Sequence, residues 1–318
     1  VKKWVGFWVL GLIWGSSFLF ISIGVEQVTP FQLVFIRTGI AAIGLNLVLA
    51  FQRKHIPFNW RGLRPLLILG IVNTVLPFAL ITWGEQTVDS GIASVLNATA
   101  ALFTLVFAHF TFSDERITVR KIIGLLLGFF GVVVLFSGSG DSGSGTNSII
   151  GMLAIVLAAM FYGIGGTYGR GVVKRIEPMM VSAGAMTTAA IISGICMVLS
   201  PALGGEPFTP FNEIHGDALA ALLILGLVNT FGAYTLYYWV VQQLGAARSS
   251  MVTYVTPPIG ITLGVIFAGE QLTATLIIGA GMILSAIGIV NLRLFQRKPV
   301  PPVPAAPGAV MEAETRAA

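Results

Sequence analysis

Apolar runs of about 20 residues recur along this chain, and each is long enough to cross ~30 Å of hydrocarbon as a helix. Ten can be placed, at roughly 4–24, 31–51, 65–84, 90–110, 117–137, 149–169, 178–200, 217–241, 246–268 and 273–294. Polar or turn-rich connectors separate them. Charged residues make up only 10% of the 318 positions and hydrophobic ones 55%, whereas a soluble domain carries about 25% charged residues. The mean hydropathy of +0.89 agrees. Backbone groups find no water partners in hydrocarbon, so the spanning unit must be a helix or a closed barrel. A barrel would show ~10-residue alternating strands, which are absent here. The expectation is an all-α integral membrane protein.

The formal charge of +5 does not indicate nucleic acid, because the basic residues lie in short clusters between apolar runs. With Lys2 and Lys3 placed in the cytoplasm, alternate connectors collect every Lys and Arg except Arg37, which lies inside segment 2. The opposite connectors hold Glu26, Glu85, Asp89, Asp141, Glu206, Glu213, Asp217 and Glu270. This asymmetry predicts both termini inside and a multi-pass protein of the inner (plasma) membrane. Residues 4–24 read as a first membrane helix rather than a cleaved leader. A lone Cys196 excludes an intrachain disulfide and a cysteine metal cluster. No cofactor or metal is expected.

The chain also repeats itself. Leu66–Thr74 (LLILGIVNT) recurs as Leu222–Thr230 (LLILGLVNT), 156 residues later, and Trp14-Gly15 aligns with Tyr162-Gly163, 148 residues later. Each repeat holds five segments, an odd number, so the second must enter the membrane from the opposite side. The expected organisation is a first repeat over 1–137, a Gly/Ser-rich linker over 138–148, an inverted repeat over 149–297 and a disordered Pro/Ala-rich tail over 298–318. Substrate sites of inverted-repeat transporters lie near the midplane where the halves meet. Here that places a central cavity between segments 1, 3, 4, 6, 8 and 9.

Taken with their order and duplication, several motifs carry a resemblance. They are Trp14-Gly15-Ser16-Ser17, Pro30 followed by Arg37, Ala93–Thr99 (ASVLNAT), Glu115 leading to Gly124 and Gly131, Thr256-Pro257, and Glu270. The sequence resembles the drug/metabolite transporter superfamily, EamA type, over nearly all of 4–295. The resemblance implies a helical basket around a substrate cavity, and transport of small organic solutes, often amino acids. Ala100-Ala101 replaces a proline that family members often carry, so a break in segment 4 should be weaker than one at Pro257-Pro258.

Candidate solute-binding residues are Trp14, Asn73, Asn97, Tyr162, Asn229, Tyr234, Tyr238, Thr253 and Tyr254. Trp14 and Tyr162 occupy equivalent positions well inside helices, where a ring can flank a solute or pack beside Gly15 and Gly163. Asn73 and Asn229 need partners in lipid, which a solute or a neighbouring helix would supply. Tyr234, Tyr238 and Gln242 are spaced to share one helix face. Pro257 and Pro258 remove backbone donors and, with Arg37, are the candidate gate residues; Arg37 reads first as a structural or gate pair with Glu26 or Glu85 and second as a carboxylate-binding group. His109 reads as an interfacial residue or a proton relay.

The function these residues indicate is a secondary transporter or exporter of small organic metabolites by alternating access. Its partners are a small solute and the lipid bilayer, not nucleic acid, and it is expected to work as a monomer. Two alternative functions make different demands on the sequence. A sugar-phosphate or nucleotide-sugar transporter would call for several embedded cations. A membrane enzyme acting on a lipid-linked substrate would need paired carboxylates, a metal cluster or an activated nucleophile, and the acids and the histidines are scattered.

Overall fold

A computed structural model describes residues 2–57, 59–113, 117–138, 147–245 and 249–291. Glu115, most of the 138–148 linker and the 298–318 tail lie outside the described residues. The described chain is helical, without a strand. Eight helices are long and apolar enough to cross a membrane: α1 (Lys2–Gly24), α2 (Pro30–Phe51), α3 (Trp60–Gly84), α4 (Ser90–Thr111), α5 (Val119–Ser137), α6 (Ile149–Val172), α7 (Pro178–Leu199) and α8 (Gly216–Leu244). Two shorter apolar helices follow, α9 (Met251–Phe267) and α10 (Ala274–Val290). The outer surface carries Ile43, Phe51, Phe110, Phe130, Ile150 and Phe267 at more than 60% exposure. An apolar surface of that extent belongs against lipid.

Hydrogen bonds between connectors show which ends lie together. Gln27 and Gln32, on either side of the α1–α2 turn, bond the backbone at His215 and Thr209 before α8. Asp89, between α3 and α4, accepts from Asn147 before α6, and Glu270, between α9 and α10, accepts from the N–H groups of Ser90 and Gly91. Connectors that follow α2 and α6 meet instead through Lys54 and Glu177, 2.5 Å apart.

Helices in lipid gain little from apolar contact with one another, so small residues that permit close approach hold them together. Gly15 of α1 lies against Ile259 of α9, where an added Cβ would stand 2.6 Å from its Cγ2. Gly163 of α6 lies against Phe103 of α4, with the corresponding distance 2.7 Å to Cβ. These are one contact made twice: Gly163 follows Gly15 by 148 positions and Ile259 follows Phe103 by 156, the offsets of the sequence repeat. Gly70 against Thr188 of α7 and Gly226 against Ile40 of α2 form a second such pair.

Two irregularities fall in the repeated LLILG segments. The backbone runs as a π-helix over Ile71–Val75 in α3 and over Leu227–Gly232 in α8. Pro77 deprives the first of these of an N–H donor. In α8 the Thr230 hydroxyl donates to the Leu225 carbonyl at 2.7 Å, occupying an acceptor that the wider turn leaves available. The interruption in α4 is a single residue, Thr99. In α9 it is longer: Ser250–Tyr254 is a 3-10 helix, and the α-helix begins at Thr256 with Pro257 and Pro258 in its first turn. The stronger break lies at the prolines, as the sequence implied.

The paired glycine contacts generate a prediction. Gly15→Ala or Gly163→Ala should destabilise the folded protein by about 1–3 kcal/mol through overpacking, read as a lowered thermal midpoint in detergent. Gly39→Ala, where an added Cβ meets nothing within 4 Å, should not lower it.

Candidate functional site

A cavity of about 370 Å³ opens among α1, α2, α3, α4, α6, α8 and α9, within the ~300–1,000 Å³ typical of small-molecule sites. Its wall includes Trp14, Asn73, Asn97, Tyr162, Asn229, Tyr234, Thr253 and Arg37. The two π-helical turns deliver Asn73 and Asn229 to it, and such turns are frequent at functional sites.

Arg37 is buried, 7% exposed, within the span of α2. The expected pairing with Glu26 or Glu85 is not made, and among the described residues Arg37 forms no ion pair. Its Nε donates to Thr230 Oγ1 at 2.8 Å, and its Cζ lies 4.1 Å from the centre of the Phe78 ring. The physical reason is proximity. The π-turn of α8 brings a hydroxyl to the guanidinium, and Phe78 of α3 offers a ring face, so the charge is held inside by a polar group and a π-system instead of snorkelling outward.

Asn229 is mainly a structural fastener. Its Nδ2 donates to the Ile13 carbonyl and approaches Ser16 Oγ at 3.0 Å and Ser17 Oγ at 3.1 Å, tying α8 to α1. Its Oδ1 is buried without a hydrogen-bond partner, as is Asn97 Oδ1. Asn73 stands against Gly165 of α6, the repeat equivalent of Ser17. The cavity is therefore lined by a cationic donor, Arg37, and by the amide residues Asn73, Asn97 and Asn229, surrounded by aromatic rings. Trp14 and Tyr237 pack with ring centres 5.4 Å apart, and Phe78 meets Tyr162 at 6.5 Å.

Four expected residues lie off this wall. Tyr238 bonds Ser182 and donates to the Pro178 carbonyl at 2.9 Å, facing α7. Tyr254 donates to the Ile287 carbonyl at 2.8 Å, facing α10. Pro257 is buried and Pro258 exposed, and neither lines the cavity. His109 accepts from the Ile117 N–H at 3.3 Å. Sequence reasoning missed Phe78, Tyr237 and Ser94, which do line the cavity, as does Thr256 beside the prolines. The i, i+4 spacing selected Tyr238, whereas the face inward from Tyr234 continues at i+3, Tyr237. Ser94 is set flush against Gly260 of α9, a long-range contact that carried no signal in the sequence.

Towards the end of the molecule that carries the α1–α2 and α3–α4 turns lies a second, acidic recess of about 430 Å³. It is lined by Ser22, Glu26, Glu85, Thr87, Asp89 and Glu270, among others. Glu270 caps the start of α4, accepting from Ser90 N–H at 2.6 Å and Gly91 N–H at 2.9 Å, a placement that satisfies two otherwise orphan donors. Glu85 is 5% exposed.

Comparison with known proteins fits this architecture. Residues 3–137 and 149–292 each match the EamA-like transporter family. The chain is 30% identical over 300 residues to the uncharacterised inner membrane transporter YedA of Escherichia coli (strain K12), with 92% of each chain covered. It is 24% identical to a probable amino-acid metabolite efflux pump of the same organism, covering 91% of this chain and 94% of that one. A crystal structure at 19% identity superposes with a TM-score of 0.63 over 91% of this chain and 97% of the other, a likeness of fold. With its cavity, its paired glycine contacts and a family match over both halves, this chain belongs to the EamA-like transporter family.

Proposed function

We propose that this protein is a secondary transporter, most simply an exporter, of amino acids or closely related zwitterionic metabolites, working by alternating access. The observation that carries the reading is Arg37, a guanidinium held in a membrane cavity by Thr230 and Phe78 with no acid paired to it among the described residues. A charge kept there is costly, and a solute carboxylate is the partner its planar donor fork fits. Asn73, Asn97 and Asn229, on the same wall, are the amide side chains that would complement the other end of such a solute. Trp14 adds a ring face for the cation or a side chain. A phosphorylated sugar fits less well, since among the described residues Arg37 is the one basic side chain lining the cavity.

In this reading all ten helices cross the bilayer, as two five-helix repeats of opposite topology over 1–137 and 149–297, with both termini cytoplasmic. The bonds among alternate connectors support it, as do the contacts repeated at the 148 and 156 offsets. One chain holds the whole cavity, which supports function as a monomer. Asn73, Asn97, Tyr162, Tyr234 and Thr253 are the further solute contacts, and α9, with its 3-10 segment and Pro257-Pro258, is the element that moves. A probable amino-acid efflux pump among the relatives supports the substrate class.

Reconstituted into liposomes, the protein should show saturable amino-acid counterflow. The absence of saturable flux for a full amino-acid panel would falsify the reading. Arg37→Gln should weaken binding about 10- to 100-fold, in line with ~1.5–3 kcal/mol for a hydrogen bond to a charged group, measured by ligand-induced thermal shift. Trp14→Ala should also weaken binding, whereas Tyr254→Phe should leave it unchanged, because that hydroxyl bonds Ile287 away from the cavity.

A further inference from the structure

The central cavity and the acidic recess are stacked. Three segments each place one side chain on the cavity and another, one turn further out, on the recess: Ile21 of α1 and Val25 just past its end, Ile81 of α3 and Glu85 just past its end, and Ser94 and Ser90 of α4. One turn is about 5.4 Å, so a single layer of side chains separates the two spaces. Glu85 belongs to that layer. Neither of its carboxyl oxygens has a hydrogen-bond partner, and the side chain is almost wholly shielded.

The other acids of the recess are occupied differently. Asp89 accepts from Asn147 Nδ2 at 2.8 Å, and Glu270 is fixed by the two N–H groups that open α4. Glu26 lines the recess from the end of α1. The charged groups that act on Glu85 are the Glu270 carboxylate, from the α9–α10 connector, and the Arg37 guanidinium of α2. Arg37 is engaged with Thr230 and Phe78, beyond ion-pair distance. An ionised carboxylate cannot persist in such a place without a partner or water. A carboxylic acid can. Burial, reinforced by Glu270 and opposed by Arg37, pushes the Glu85 carboxyl well above the ordinary carboxylate range.

We propose that Glu85 is a proton-binding site on the transport path, whose protonated form closes the layer between recess and cavity and whose ionised form opens that layer to water. Ionisation demands hydration, and the recess one side chain away is the nearest source of it. Proton occupancy is thereby tied to access. The gating part rests on the cavity being the transport route; proton binding does not.

Infrared difference spectra of the purified full chain, titrated from acid to alkaline buffer, test the binding step. They should show a protonated-carboxyl C=O band that titrates well above 4.5, absent in Glu85→Gln and shifted to a lower midpoint in Glu270→Gln. No such band, or its survival in Glu85→Gln, overturns the proposal. So does a signal that follows sodium or calcium concentration instead of pH. Access is read by maleimide labelling of Ile21→Cys in a Cys196→Ser background. With Glu85 present, labelling should rise more steeply with pH than the roughly tenfold per unit of thiol ionisation, and Glu85→Gln should show the thiol slope alone. Equal slopes refute gating. Folding of each variant is checked independently by stability. The folded protein holds this proton more tightly than the unfolded chain, so wild-type stability should fall as pH rises above 4.5, and Glu85→Gln should lose that part of the decline. An amino-acid thermal shift on the same samples separates the two ideas, since it reports on the solute reading whatever the infrared band does.

Discussion

The structure depends on how helices are held together in a solvent that does not push them together. Lipid is as apolar as the side chains it surrounds, so apolar contact between helices releases no ordered water. Close van der Waals approach and internal polar bonds must do the joining. Gly15, Gly70, Gly163 and Gly226 supply the approach, each set flush against a side chain of another helix. Because each contact recurs at the repeat offset, the two halves grip one another through equivalent seams. The remaining space falls between these seams, where larger side chains line a cavity.

The same solvent decides where polarity is tolerated. Many polar groups inside the spans bond their own helix, as Thr38, Thr104 and Ser193 do, and others gather at the cavity. Asn229 donates to Ser16 and Ser17 there, while Arg37 donates to Thr230. The π-helical turns make this possible. They widen α3 and α8 at the level where Asn73 and Asn229 point inward, and they leave Thr230 free to serve both the Leu225 carbonyl and Arg37.

Much of this was legible in the sequence because its causes are local and periodic. Span lengths, the one-sided placement of Lys and Arg, and the duplicated LLILG segment need only composition and spacing. The cavity residues Trp14, Asn73, Asn97, Tyr162 and Asn229 were legible because a polar or amphipathic group deep in a span has few places to go. What escaped depends on helix rotation. Tyr238 and Tyr254 were chosen by type, yet each hydroxyl bonds a backbone carbonyl on another helix, and a shift of one position gives the cavity Tyr237 instead. Positions i+3 and i+4 lie on either side of the line from Tyr234 at 3.6 residues per turn, so spacing alone does not choose between Tyr237 and Tyr238. The partner of Arg37 escaped for a related reason. Sequence offers acids to a base, whereas the fold supplied a hydroxyl and a ring.

That substitution bears on how the site works. Had Arg37 been locked in an ion pair with Glu85, a solute carboxylate would have had to displace an acid already matched to it. Thr230 and Phe78 hold the guanidinium in place without neutralising it, so its charge is available to a ligand at small cost in reorganisation. Glu85, left without that partner, is better accommodated as a neutral acid than as an ion. A single absence, the ion pair between α2 and the end of α3, leaves one group ready for an anion and the other ready for a proton.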